Sequence, residues 1–452
     1  MYSIVERPKI RYEPSSNVTQ IFVEKEKIMI VLLSLLLACG DSETQTTETT
    51  KTNSAENQSA VTEKRTKVDP PKPAQEPLIG GPYPALLVTQ AWFWKDENDQ
   101  TQPGPARLEI WRQTEKGWSK NRVEDDASNV FHKAIPFEDG ILTIGAEKAL
   151  LKKWTFKDGK WNAETLWEKS WGGKFNRLRD IEIGDVDGDG KDELVMATHD
   201  AGVIAVANLA KGDDGQIIEM DKKEDTFVHE IEIGDIDGDG KLEFFATPSE
   251  RNQSKKSQSG MVVMYRFDGK EYKRTVVEEY LKTHAKEILV ADIDGDKQSE
   301  LFSVLEAQRV GKAIIKPVEL RQYSENDDGT FTSKMIETLE DEQCRFLVSG
   351  DFNHDGSVDL IAAGYQSGLW FLEQKNDSWS KTLIDKDSSG FEHTSYGADL
   401  NKDGKLELYV AADNQGSLNQ YLWNAEKKQF DKTKIGDIAE NTFTWNIIST
   451  EL

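Results

Sequence analysis

The sequence predicts an all-β chain: a seven-bladed β-propeller with four-stranded blades, closed by pairing the C-terminal strand with the first blade. Three observations predict it. A loop of the form D-x-[D/N]-x-D with an acid at its ninth position occurs five times, beginning at Asp185 (DVDGDGKDE), Asp235 (DIDGDGKLE), Asp292 (DIDGDKQSE), Asp351 (DFNHDGSVD) and Asp399 (DLNKDGKLE). Successive loops start 50, 57, 59 and 48 residues apart, the period of a radial or solenoid array of short strands. The flanks read as strands: apolar residues alternate in "IEIGD" before the first loop, and a compact β-rich run, "LVMAT", follows it.

Each unit extends beyond its loop into a second hairpin whose arms carry bulky residues, as Tyr265 with Tyr272, Tyr323 with Phe331, Leu372 with Trp379 and Trp423 with Phe430. The same hairpin occurs upstream as Trp111 with Trp118 and Trp154 with Trp161, so two units precede the five that carry loops. "VFHKAIPFEDGILTIG" reads as a loop-bearing hairpin whose loop has shrunk to "EDG". The first unit starts at "PALLVTQAWFW", which matches a second strand, and the C-terminal "TFTWNIIST" is a spare strand. Pairing the two closes a ring and hides sheet edges that would otherwise template aggregation.

Side chains at alternate positions of a tight loop converge, and clustered carboxylates repel one another unless a hard cation lies among them. Calcium suits such a set, because it accepts six to eight oxygens in flexible geometry. The expected ligands are the side chains at positions 1, 3, 5 and 9 with the carbonyl at position 7. These are Asp185, Asp187, Asp189, Lys191 and Glu193; Asp235, Asp237, Asp239, Lys241 and Glu243; Asp292, Asp294, Asp296, Gln298 and Glu300; Asp351, Asn353, Asp355, Ser357 and Asp359; and Asp399, Asn401, Asp403, Lys405 and Glu407. An EF-hand would need a glutamate at position 12, where this chain has Met196, Ala246, Ser303, Ala362 and Val410.

The strings "GDVDGDGKDEL", "GDIDGDGKLEF", "ADIDGDKQSEL", "GDFNHDGSVDL" and "ADLNKDGKLEL" resemble the calcium loops of FG-GAP (VCBS-type) repeats, the units of the integrin α-subunit propeller. The resemblance spans about Arg179 to Leu408 and is degenerate in the first two units. It implies a propeller with up to five Ca²⁺ ions in the hairpins between first and second strands. Lys297 replaces the turn glycine of the third loop, and Asn353 and Asn401 each remove a formal charge from theirs.

Six residues before each loop stand Arg179, His229, Lys286, Arg345 and His393, and His132 fits the same register before Glu138. At ~3.3 Å per residue that separation is a whole strand, ~20 Å, which places these groups on the face opposite the loops, around the channel mouth. Two readings are open: each caps a carbonyl or carboxylate of a neighbouring blade, or together they form a cationic ring for an anionic sugar, peptide carboxylate or phosphate. Eight of the twelve tryptophans lie between Trp92 and Trp171; most read as packing residues, while Trp92 and Trp94, of one strand parity, could form a sugar-stacking shelf.

The formal charge of −25 argues against nucleic acid as a partner. An apolar run of 11 residues, Ile28 to Ala38, is too short to span a bilayer and ends in Leu-Leu-Ala-Cys-Gly. That resembles a bacterial lipoprotein signal, implying cleavage before Cys39 and lipid on its sulfur. The polar residues ahead of the run suggest a true start nearer Val23 or Met29. The resulting division is a signal peptide over 1–38, a disordered tether over 39–80 and the propeller over 81–452, displayed as a monomer on the outer membrane or cell surface. Residues 41–77 have almost no large apolar side chain.

No G-x-S-x-G elbow, Gly-rich phosphate loop, H-E-x-x-H or Cys/His zinc spacing occurs. The leading functional expectation is a non-enzymatic, calcium-binding envelope protein that binds a protein or glycan. A polysaccharide lyase-like enzyme on the same scaffold and a purely structural envelope component are the alternatives.

Overall fold

A computed structural model describes residues 68–172, 176–208, 217–251, 257–375 and 378–452. The apolar run, Cys39 and the tether as far as residue 67 lie outside the described residues. The rest forms one unit, and no helix occurs among its described residues.

Seven four-stranded antiparallel blades make up the fold. From the axis outward, blade 2 runs Phe131–Phe137, Gly140–Gly145, Ala149–Lys157 and Lys160–Lys169. Blade 3 runs Leu178–Gly184, Glu193–Thr198, Ile204–Asn208 and Ile217–Asp221, and blade 4 runs Thr226–Gly234, Glu243–Glu250, Gly260–Phe267 and Tyr272–Tyr280. Blade 5 comprises Ala285–Ala291, Glu300–Leu305, Val318–Glu325 and Phe331–Leu339; blade 6, Cys344–Gly350, Asp359–Gly364, Leu369–Lys375 and Ser378–Asp385. Blade 7 comprises His393–Ala398, Glu407–Ala412, Ser417–Asn424 and Gln429–Asp437.

Blade 1 is assembled from both ends of the folded unit. Ala85–Lys95, Ala106–Thr114 and Gly117–Asp125 are joined on the axial side by Thr442–Thr450, with Leu87 opposite Ile448 and Val88 opposite Ile447. The closing strand is the one expected from "TFTWNIIST".

Burial follows from the stacking of blades. In Glu193–Thr198 every residue is buried, because successive side chains point to opposite faces and each face meets another blade. Leu194 and Met196 pack toward Leu142 and Ile144 of blade 2, whereas Val195 and Ala197 pack toward Phe244 and Ala246 of blade 4. Such a cluster fills each junction, and the last joins Tyr409 and Leu418 of blade 7 to Leu86, Val88 and Trp111 of blade 1. The first strands ring the axis and bond across blades: the Asp180 carboxylate accepts from Ile231 N at 2.7 Å, and Glu287 accepts from Leu347 N at 3.2 Å.

The segment before blade 1 is partly docked. Ala74 N donates to the Glu124 carboxylate and Glu76 N to Arg122 O, and Trp161 Nε1 donates to Glu76 O. The disordered tether expected to run to residue 80 therefore overlaps a stretch, 74–79, that adheres to the outer strand of blade 1. The reason is that its few apolar and acidic groups find partners on that strand: Leu78 joins the blade 1 core and the Glu76 carboxylate pairs with Arg122 at 2.9 Å.

Candidate metal loops and axial mouth

All five loops connect the first and second strands of blades 3 to 7, so they share one rim of the ring. Each curls around its first aspartate. In the first, Asp189 N and Gly190 N donate to the two Asp185 oxygens at 3.0 and 2.9 Å, and the second, fourth and fifth repeat this at Asp235, Asp351 and Asp399. The sixth residue needs a left-handed backbone, with φ near 84° at Gly190, and Lys297 adopts φ 76° in its place. The fourth position is left-handed too, at Gly188, Gly238, Gly295, His354 and Lys402, which the sequence reading did not single out.

The acids converge. Ligand oxygens of Asp185, Asp187 and Glu193 lie within 4.8 Å of one another, as do those of Asp235, Asp237 and Asp239, of Asp292, Asp294 and Asp296, and of Asp399, Asp403 and Glu407. The fourth loop has the same fold, with Asp355 N donating to Asp351 Oδ1 at 3.0 Å and to Asn353 Oδ1 at 2.9 Å. Of the ninth-position acids, Glu193, Glu243, Asp359 and Glu407 lie buried under their loops and Glu300 is half-buried, and in the first, second, third and fifth loops the acid accepts the backbone N–H of the loop's second residue.

Glu193 Oε1 and Asp359 Oδ2 are buried with no hydrogen-bond partner. Burial, reinforced by the neighbouring carboxylates, pushes Glu193, Glu300 and Asp359 up to about 7. Orphaned oxygens aimed into a cluster of hard donors are what a divalent cation would satisfy, and oxygen-only donors with a flexible loop suit calcium. The residues therefore fit the ion. Lys191, Lys241, Gln298, Ser357 and Lys405 occupy position 7, whose carbonyl is the expected fifth ligand.

A family model described as "FG-GAP-like repeat" matches residues 185–246 and 351–410. The blades there are FG-GAP-like repeats. No curated protein matched the chain. Among solved structures, a candidate 6-phosphogluconolactonase from Bacteroides uniformis aligns with 81% of this chain and 99% of its own at 12% identity, TM-score 0.51. A second candidate 6-phosphogluconolactonase, from Bacteroides fragilis, covers 81% and 98% at 12% identity, TM-score 0.49. A protein from Lactobacillus plantarum covers 81% and 100% at 11% identity, TM-score 0.49. At these identities the first likeness speaks to fold alone.

At the opposite end of the first strands lie the six residues picked out from register. His132, His229, Lys286, Arg345 and His393 are buried, and Arg179 is half-buried. Four of them bond to their surroundings: His132 Nδ1 lies 2.6 Å from Leu178 O, His393 Nδ1 2.7 Å from Gly364 O, His229 Nε2 3.3 Å from Ser249 Oγ, and Arg345 Nη2 donates to Glu392 at 2.5 Å. Lys286 Nζ lies 3.2 Å from His229 Nε2 and 3.9 Å from Glu306. Burial is the chief cause that lowers His132 and His229, takes His393 to about 4 and brings Lys286 down to about 7. Near neutral pH the three imidazoles are therefore uncharged partners, and the full positive charges of the set are Arg179 and Arg345.

Arg179 makes no ion pair among the described residues; its guanidinium stands 5.3 Å from the Trp445 ring centre. Two neighbours escaped the sequence reading: His199 and His284, whose rings lie 5.3 and 5.5 Å from that of His229. They come from strand ends of different blades, and only the six-residue offset was available as a signal. Trp92 packs against Arg107, 4.3 Å above its ring, while Trp94 Nε1 donates to Pro103 O at 3.2 Å.

Proposed function

We propose that the chain is a calcium-stapled FG-GAP-type propeller, held at a bacterial envelope by lipid on Cys39, that binds a protein or glycan without chemically altering it. The observation that carries the calcium part is the convergence of carboxylates on one rim, in clusters at the loops of blades 3, 4, 5 and 7, with buried oxygens left unpartnered at Glu193 and Asp359. An ion there would crosslink the ends of a blade's first two strands and relieve the repulsion among its acids. Its role is structural, because each loop joins the first two strands of its own blade.

The ligand end is the opposite mouth. Arg179, making no ion pair among the described residues and lying beside an aromatic ring, suits a carboxylate-bearing ligand such as a uronic acid or a peptide C-terminus. Arg345 differs, being committed to the buried Glu392. An array of uronate glycans and carboxyl-terminal peptides should therefore lose retained ligand with Arg179→Ala at unchanged melting temperature. Arg345→Ala should lower stability by roughly 3–5 kcal/mol, since it strands a buried charge. Retention unchanged in Arg179→Ala would remove the mouth as the binding site, and release of glycan fragments would favour an enzyme.

A further inference from the structure

In each loop-bearing blade, the ninth-position acid has a cross-strand neighbour on the third strand, and that neighbour differs from blade to blade. Glu193 pairs with Asn208. Elsewhere the ladder pairs Phe244 with Tyr265, Leu301 with Tyr323, Leu360 with Leu372 and Leu408 with Tyr421. One step nearer the loop, Glu243, Glu300, Asp359 and Glu407 therefore face Arg266, Ser324, Glu373 and Leu422. A cation stands at this position in the second loop alone.

Its geometry is that of an internal counter-ion. Arg266 Nε donates to Glu243 Oε1 at 2.9 Å, and Nη2 lies 3.2 Å from Asp237 Oδ2, so the guanidinium engages two of the expected calcium ligands. The other Glu243 oxygen accepts Ile236 N at 3.1 Å. Both oxygens of that acid are spent, in contrast to the orphaned oxygens of Glu193 and Asp359. The guanidinium is also pinned from behind, donating to both oxygens of Glu325 in blade 5 at 3.0 and 2.8 Å. Lys191 and Lys241 reach Asp189 and Asp239 too, but they are exposed and free to swing away.

We propose that Arg266 is a built-in cation for the second loop, which keeps that loop folded without calcium and excludes the ion from it. A guanidinium fixed among the donors repels a divalent cation, and displacing it would leave Glu325 without its bidentate partner. The inference rests on the calcium reading of the other loops. Blade 4 would then be stapled to blade 5 by Arg266 itself, at any calcium concentration.

Calcium stoichiometry, measured by titration calorimetry on the metal-free full chain, tests this. Asp187→Asn in the first loop should lose one ion relative to wild type, Asp237→Asn in the second should lose none, and Arg266→Gln should gain one. Arg266→Gln should also melt below wild type in EGTA and recover on adding calcium. Loss of one ion by Asp237→Asn would overturn the proposal while leaving the calcium reading intact. No calcium uptake by either wild type or Arg266→Gln would overturn both.

Discussion

On the proposed reading, stripping calcium perturbs the rim and leaves every covalent bond in place, and the size of the effect follows from the loops. With Arg266 serving the second loop as proposed, four loops would depend on an ion. A site held at about 100 times its dissociation constant contributes about 2.7 kcal/mol, so four contribute about 11 kcal/mol. That is comparable with the ~5–15 kcal/mol by which folded domains outlast their unfolded chains. For a folded unit of about 370 residues, at ~2.1 cal/mol/K per residue, the melting entropy is about 0.8 kcal/mol/K and the expected shift is about 14 °C. Differential scanning calorimetry with 1 mM-range calcium and with EGTA reads it directly. A single loop disabled by Asp187→Asn should account for about a quarter of the shift. Equal melting temperatures in the two buffers would refute the argument, because the convergent carboxylates would then be satisfied without a divalent ion.

Two further outcomes are expected. In metal-free protein, Glu193, Glu300 and Asp359 sit at about 7, above the usual carboxylate range, so the folded state holds extra protons and these groups add stability as pH falls from 8 toward 5. The buried histidines act oppositely, with His284 and His393 down at about 4, and they cost stability below pH ~6.5 with or without the ion. The gap between calcium-loaded and metal-free melting temperatures should therefore narrow as pH falls, and a gap independent of pH would contradict the assignment. Ile447→Pro should break the pairing with Val88 and expose the edge of Ala85–Lys95. Size-exclusion chromatography should show self-association and calorimetry a lowered melting point; a monomer melting like wild type would mean that closure does not depend on this strand.

Much of this architecture was legible in the chain because it is written in local pattern. The acid spacing from Asp185 to Glu193 fixes a loop, alternation in "IEIG" fixes a strand, and the unmatched "PALLVTQAWFW" and "TFTWNIIST" fix one another as partners. Each of these signals lies within a dozen residues or repeats at a constant period, so no knowledge of packing is needed to read it. Position 12, where Met196 and Val410 stand, excluded the helical alternative by the same kind of local evidence.

The sites are different, since their chemistry depends on what neighbouring strands and blades bring against them. His132, His229 and His393 occupy the expected register, yet burial removes the charge that the sequence allowed them. Residues 74–79 look like more of the tether until the outer strand of blade 1 offers them partners. The five loops are near copies in sequence, but one faces Arg266 and another Glu373, through cross-strand register that sequence spacing does not reveal. By itself the sequence determined the repeat, the blade count, the closure and the spacing of acids in each loop, because those follow from local periodicity. The tertiary structure alone decided which charges survive burial and which loop already holds a cation, because desolvation and cross-strand contact arise only when the blades pack.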